Sequence, residues 1–143
     1  MIQLVDRLPV RSGEVLRVEI ESTDSDWRQG VALSTDGDFV IDGRSVGGDI
    51  VLWTDTAPPV VLVRVASTTG ECRVKNVWDV GDGTVHSWHN GAAMTVDDTV
   101  AGRRYRCNDG HPDEDFDDLV FRIERFPSDS SPLRSSDGRR ASR

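Results

Sequence analysis

Long apolar runs are missing from this chain: the longest, Pro58 to Val63, ends at Arg64, far short of the roughly 18 residues that a membrane span requires. Membrane insertion is not expected. Cysteine is nearly absent as well. Cys72 and Cys107 are too few for a disulfide scaffold and form no C-x-x-C pair, which excludes a zinc knuckle and a thioredoxin-type redox motif. Two free thiols on strands are the expectation. Lysine is confined to Lys75, against 16 arginines, a bias that reads as genome composition. Positive charge is short overall: 17 Lys+Arg face 25 Asp+Glu, for a formal net charge of −8. Such a surface repels phosphates unless its basic groups cluster, so nucleic acid is not an expected partner. Met1 to Arg7 lack the basic start, apolar stretch and small-residue cleavage site of a secretory signal, which makes the cytosol the expected address unless a non-classical export route operates.

Helical periodicity is also missing. No stretch of 11 or more residues keeps apolar positions at i, i+3, i+4 and i+7 without a Gly, Pro or strand-forming run breaking it. What dominates is a period of two. Leu16, Val18 and Ile20 alternate with Arg17, Glu19 and Glu21; Cys72, Val74, Asn76 and Trp78 alternate with Arg73, Lys75 and Val77; Leu119, Phe121 and Ile123 share one face. Two continuous runs, Ile50 to Trp53 and Val60 to Val63, predict strands buried on both faces. Turn signals separate the runs: Asp36-Gly37, Asp42-Gly43, Gly47-Gly48, Thr69-Gly70, Asp82-Gly83, Asn90-Gly91 and Asp109-Gly110. The pattern predicts an all-β, antiparallel β-sandwich of jelly-roll or lectin-like type with about nine strands, occupying residues 1–126. Residues 127–143 hold six Ser, two Pro and four Arg, too little apolar surface to offset the entropy of ordering, and read as a disordered tail. With the tail's +4 and −2 removed, the remaining 126 residues carry −10, so the acidity belongs to the folded domain.

The sharpest chemical feature lies ahead of the last strand, in Asn108 to Asp118. Six carboxylates and no Lys or Arg fall between Asp109 and Asp118. A divalent cation would relieve their repulsion, and calcium suits best, being a hard ion that takes six to eight oxygens. Asp113-x-Asp115-x-Asp117 has the spacing that starts an EF-hand, with Glu124 at the twelfth position. Asp118 stands where the EF-hand's sharp turn needs Gly, however, and a strand follows where a helix should open. The competing reading is a solvated acidic loop partly neutralised by Arg103, Arg104 and Arg106.

Asp115-Phe116-Asp117-Asp118-Leu119-Val120 resembles the signature that closes several bacterial calcium-binding β-sandwich domains. The order Asn108-Asp109, acidic loop, terminal strand resembles the end of the soluble bacterial galactose-binding lectins, which hold sugar through calcium. The likeness covers about 20 residues. It implies Asp109 and Asp117 as side-chain ligands, with Asp113 contributing an oxygen. Asp115 is a further candidate ligand, and Asp118 a candidate support for the loop.

A second cluster, His86-Ser87-Trp88-His89-Asn90-Gly91, offers an aromatic face and polar groups for a sugar, with Trp88, His89 and Asn90 as candidate contacts; Trp88 as a core residue is the alternative. Trp27, in a polar segment, is the other Trp expected to be partly exposed. His86, His89 and His111 suggest zinc only weakly, since His-x-x-His on a strand points the rings to opposite faces. Gly43-Arg44-Ser45-Val46-Gly47 fits the G-x-S-x-G formula, but a strand follows instead of the helix a nucleophile elbow needs, so a turn is the reading and an enzyme is not favoured. The sequence thus predicts a calcium-binding module with carbohydrate as the leading ligand class. The alternative is a non-catalytic structural or protein-interaction domain in which calcium is only structural or absent.

Overall fold

Residues that alternate in polarity form strands wherever the alternation is sustained, and they assemble into a single antiparallel sheet. The computed structural model describes residues 2–25, 27–79, 81, 83, 93–108 and 116–127. Its strands are β1 (Ile2–Gln3), β2 (Asp6–Pro9), β3 (Val15–Thr23), β4 (Arg28–Ile41), β5 (Arg44–Trp53), β6 (Val60–Ser67), β7 (Glu71–Asp79), β8 (Ala93–Asp98), β9 (Gly102–Asn108) and β10 (Leu119–Phe126). Eight of them follow the order β8-β9-β10-β3-β6-β4-β7-β2 and curl into a nearly closed, barrel-like sheet; β1 continues beyond β8, and β5 pairs with β4 off this path. The all-β, antiparallel expectation holds. Hydrogen bonding runs continuously through one sheet instead of dividing into two.

The corner that curls the sheet lies in β4. Arg28 to Ser34 pair with β7, whereas Asp38 to Val40 pair with β6, and the register shifts in between. Asp36-Gly37, read from sequence as a turn, lies inside β4 at this shift. Glycine is needed there for close approach, because a Cβ on Gly37 would overlap the Ser67 carbonyl. Asp42-Gly43 does form the β4–β5 turn, with both residues at positive φ (52° and 78°). The inner face collects Leu16, Val18, Leu33, Phe39, Val63, Val74, Phe121 and Ile123, and the Tyr105 and Phe121 rings stack with centroids 4.7 Å apart. Cys72 and Cys107 are free, buried thiols; burial pushes Cys72 up to about 12 and raises Cys107 well above the usual thiol range, so both stay protonated at neutral pH. The Ile50 to Trp53 run is not buried on both faces. It belongs to β5, which pairs only with β4 among the described residues, and Val51 is 38 % exposed because no strand or layer covers it.

The two margins of the sheet are joined by the N-terminal segment. Ile2 pairs with Thr95 of β8, and four residues later Asp6 pairs with Val74 of β7. Asp6 is only 4 % exposed; Arg103 Nη1 donates to its two oxygens at 2.9 and 2.8 Å, and the Tyr105 hydroxyl donates to Oδ2 at 2.7 Å. Burial works against the Arg103 charge, but the Asp6 contacts outweigh it and hold the guanidinium more firmly protonated; burial, then Asp6, also raises Tyr105.

On the outer face Glu21 receives Arg104 at 3.0 Å and Arg122 at 2.9 Å. The hydrogen bond from Arg104, with help from Arg122, holds this carboxyl below its ordinary 4.5 despite partial burial. A carboxyl depressed on folding stabilises the fold above its unfolded pKa, and that contribution is lost as pH falls through the folded value. The stability gap between wild type and Glu21→Gln is therefore expected to be constant at neutral pH and to narrow as pH drops below 4.5. Urea titrations of both proteins between about pH 7 and about pH 3 check this; a gap that widens on acidification would contradict it.

Candidate functional site

The strands that carry the two sequence-predicted clusters begin and end at one margin of the barrel. Thr23, at the end of β3, pairs with Leu119 at the start of β10, and residues 24–27 lead directly to Arg28, which pairs with Asp79 at the end of β7. Ala93, where β8 begins, pairs with Asn108, where β9 ends. The Asn76 amide donates to the Asn108 carbonyl at 2.8 Å, and the Asp24 N–H donates to the Asp118 carbonyl at 3.1 Å. Segments 80–92 and 109–115 thus leave from adjacent strand ends.

Three tryptophans furnish this rim. Trp78 is buried, and half-buried Trp27 stacks on it with ring centroids 6.4 Å apart and planes 11° apart. Trp53 lies cross-strand from Gly30, where a Cβ would stand 2.9 Å from its ring. Its face also receives the Arg28 guanidinium, 4.3 Å from the ring centroid, while Arg28 Nε donates to both oxygens of Asp55 at 2.9 Å. Sequence reading anticipated partial exposure for Trp27 but placed Trp53 in a buried strand. The available signal was position, since Trp27, Trp53 and Trp78 all stand within one or two residues of a strand end.

The residues flanking the acidic segment are bonded to each other. Asn108, fully buried, accepts the Phe116 N–H on Oδ1 at 2.7 Å, closing the chain over residues 109–115. Phe116 takes a positive φ of 58° at this closure. Asn108 Nδ2 is buried without a partner among the described residues. Asp118 is 1 % exposed, and its charge adds to burial in raising the neighbouring Cys107 thiol; Asp117 is half-buried. Of the predicted ligands, Asp117 and Asp118 therefore stand together at the root of the loop. Asp109, Asp113 and Asp115 lie outside the described residues, as do Trp88, His89 and Asn90 and the three histidines. Among the described residues no three His, Cys, Asp or Glu side chains gather as a metal-holding group. Arg103 and Arg104, weighed from sequence as neutralisers of the loop, bind Asp6 and Asp98 in one case and Glu21 in the other. Ser45 sits within β5, where its hydroxyl donates to Asp38 at 2.6 Å, and not on a strand-to-helix turn. No family model, curated protein or solved structure matches this chain.

Proposed function

We propose that this protein is a calcium-binding, non-catalytic binding module with carbohydrate as its leading ligand class, its curled sheet packed in a lectin-like, jelly-roll manner. The observation that carries the reading is the closure of residues 109–115 by the Asn108–Phe116 hydrogen bond. Four carboxylates, those of Asp109, Asp113, Glu114 and Asp115, fall within seven residues whose ends are held together, with no Lys or Arg among them. Two of the three nearest arginines on β9 are engaged elsewhere. A hard cation relieves such confinement. In this reading Asp109, Asp113, Asp115 and Asp117 ligate the ion, buried Asp118 supports the loop, and Trp88, His89 and Asn90 contact the sugar beside the Trp27 rim. Weak loop sites fill at about 10⁻⁴ to 10⁻³ M calcium, the extracellular range, so the reading pairs best with export from the cytosol.

Thermal unfolding of the full chain in EDTA, about 1 mM Mg²⁺ and about 1 mM Ca²⁺ tests it. Ligand at 100 times its Kd stabilises by about 2.7 kcal/mol, so calcium is expected to raise the midpoint by several degrees, magnesium less, and Asp117→Asn is expected to abolish the calcium-specific rise. Equal midpoints in all three buffers would remove the calcium reading. Glycan-array binding lost with chelator then checks the carbohydrate class.

The second reading, a protein-interaction domain in which calcium is only structural or absent, draws support from β5. This ten-residue strand pairs on one side only among the described residues and exposes Val46 and Val51, a margin suited to strand addition. A partner recovered by pull-down and insensitive to sugar would favour it.

A further inference from the structure

On the outer face of β7 and β4, short side chains lie directly opposite long basic ones. Ala32 pairs with Lys75 and Ser34 with Arg73, so the two short residues form the floor of a trough that the two cations overhang. Val5, in the bend between β1 and β2, closes its side, giving a cleft of about 280 Å³ lined by Val5, Ala32, Ser34, Arg73 and Lys75. In a chain of net charge −8 the charged residues of this lining are both cations, one of them the sole lysine. Arg7 of β2 stands directly opposite Arg73 in register, a like-charge pair that destabilises a sheet unless offset. Arg7 reaches back to Glu71 at 2.9 Å. Beyond Ser34 the next strand presents Asp49. Ser34 Oγ accepts from Arg73 Nε at 3.2 Å, which fixes the guanidinium and leaves its terminal N–H groups for a ligand.

We infer that this cleft binds a small organic anion, whose phosphate, sulfate or carboxylate head sits between Arg73 and Lys75 while its apolar body rests on Val5 and Ala32. The inference is independent of the calcium reading, since none of these residues belongs to the acidic loop. An anion here would also relieve the Arg7–Arg73 repulsion.

Titration of the ¹⁵N-labelled full chain with phenyl phosphate, benzoate and the uncharged benzyl alcohol tests it. Saturable amide shifts centred on Val5, Ser34, Arg73 and Lys75 are expected with one or both anions and not with the alcohol; whichever anion binds tighter identifies the head. The double variant Arg73→Gln, Lys75→Gln is expected to bind at least about tenfold more weakly, the loss of charge-assisted hydrogen bonds. Asp49→Asn, which removes the carboxylate cross-strand from Ser34, is expected to tighten binding, and it keeps the test readable should the double variant fail to fold. Shifts spread over arginines across the surface without saturation, or affinity unchanged in both variants, would overturn the proposal.

Discussion

Asp6→Ala is expected to cost about 3–5 kcal/mol, the range for removing one partner of a buried ion pair, and to lower the unfolding midpoint by on the order of 10 °C. The reason is that Asp6 serves two donors at once. Without it the Tyr105 hydroxyl, on a ring with no exposure, is left with no acceptor, while Arg103, still 25 % exposed, recovers only part of its solvation. The seam also loses its side-chain bond between β2 and β9, the contact that brings the sheet's margins together. Tyr105→Phe provides the internal comparison: it removes one hydrogen bond but keeps the ring on Phe121, so a loss of about 1 kcal/mol is expected. Urea unfolding of both variants checks the ratio. An Asp6→Ala loss no larger than that of Tyr105→Phe would show that the ion pair contributes nothing to closure.

The second large effect is expected at Gly102, and it has nothing to do with backbone conformation. Gly102 opens β9 opposite Glu124, and a Cβ there would overlap the Ile123 carbonyl of β10. The obstacle is the main chain of β10 at Ile123 and Glu124, which cannot swing aside as a side chain could. The turn ahead of it is held just as closely, with the Thr99 N–H donating to the Gly102 carbonyl at 2.9 Å and the Arg125 N–H to the Ala101 carbonyl at 2.8 Å. Gly102→Ala must therefore push β9 away from β10, and a loss of about 3 kcal/mol, the upper part of the usual overpacking range, is expected. Gly43→Ala is the control. Gly43 needs its positive φ of 78°, but nothing stands within 4 Å of a Cβ there, so only about 1 kcal/mol of strain is expected. Thermal or urea unfolding ranks the two; Gly43→Ala proving the costlier would refute the close-approach argument.

Strand identity was legible in the sequence because one face of each strand is buried and the pleat has a period of two. Leu16 and Val18, Cys72, Val74, Asn76 and Trp78, and Leu119, Phe121 and Ile123 are all buried as their alternation indicates, the polar Asn76 reaching the Asn108 carbonyl; Val77, which the same alternation sets on the outer face, is buried as well. The Asp42-Gly43 turn was legible because its chemistry is local. What escaped was everything that depends on neighbours distant in sequence. Gly37 looks like a turn glycine but is required by Ser67; Gly47-Gly48 lies within β5 and not at a turn; Ile50 to Trp53 looks like an interior strand but lies at a margin. For the candidate site, the acidic run was plain in composition. The closing bond from Phe116 to Asn108 and the diversion of Arg103 and Arg104 to partners on other strands were not, since those partners, Asp6 and Glu21, lie more than 80 residues away.

The N-terminal segment that joins both margins also dictates an order of events. Its first pairings are with residues 94–95 and 71–74, and its Asp6 contacts wait for Arg103 and Tyr105. During synthesis this segment emerges ahead of every one of those partners, and it stays solvated until Arg103 and Tyr105 have followed it. Sheets dominated by such distant pairings fold slowly, typically over milliseconds to seconds, because the loop-closure entropy must be met before the contacts form. For this protein the slow step is expected to be seam closure, with β3, β9 and β10 already in register while the opening strand is still searching for its place.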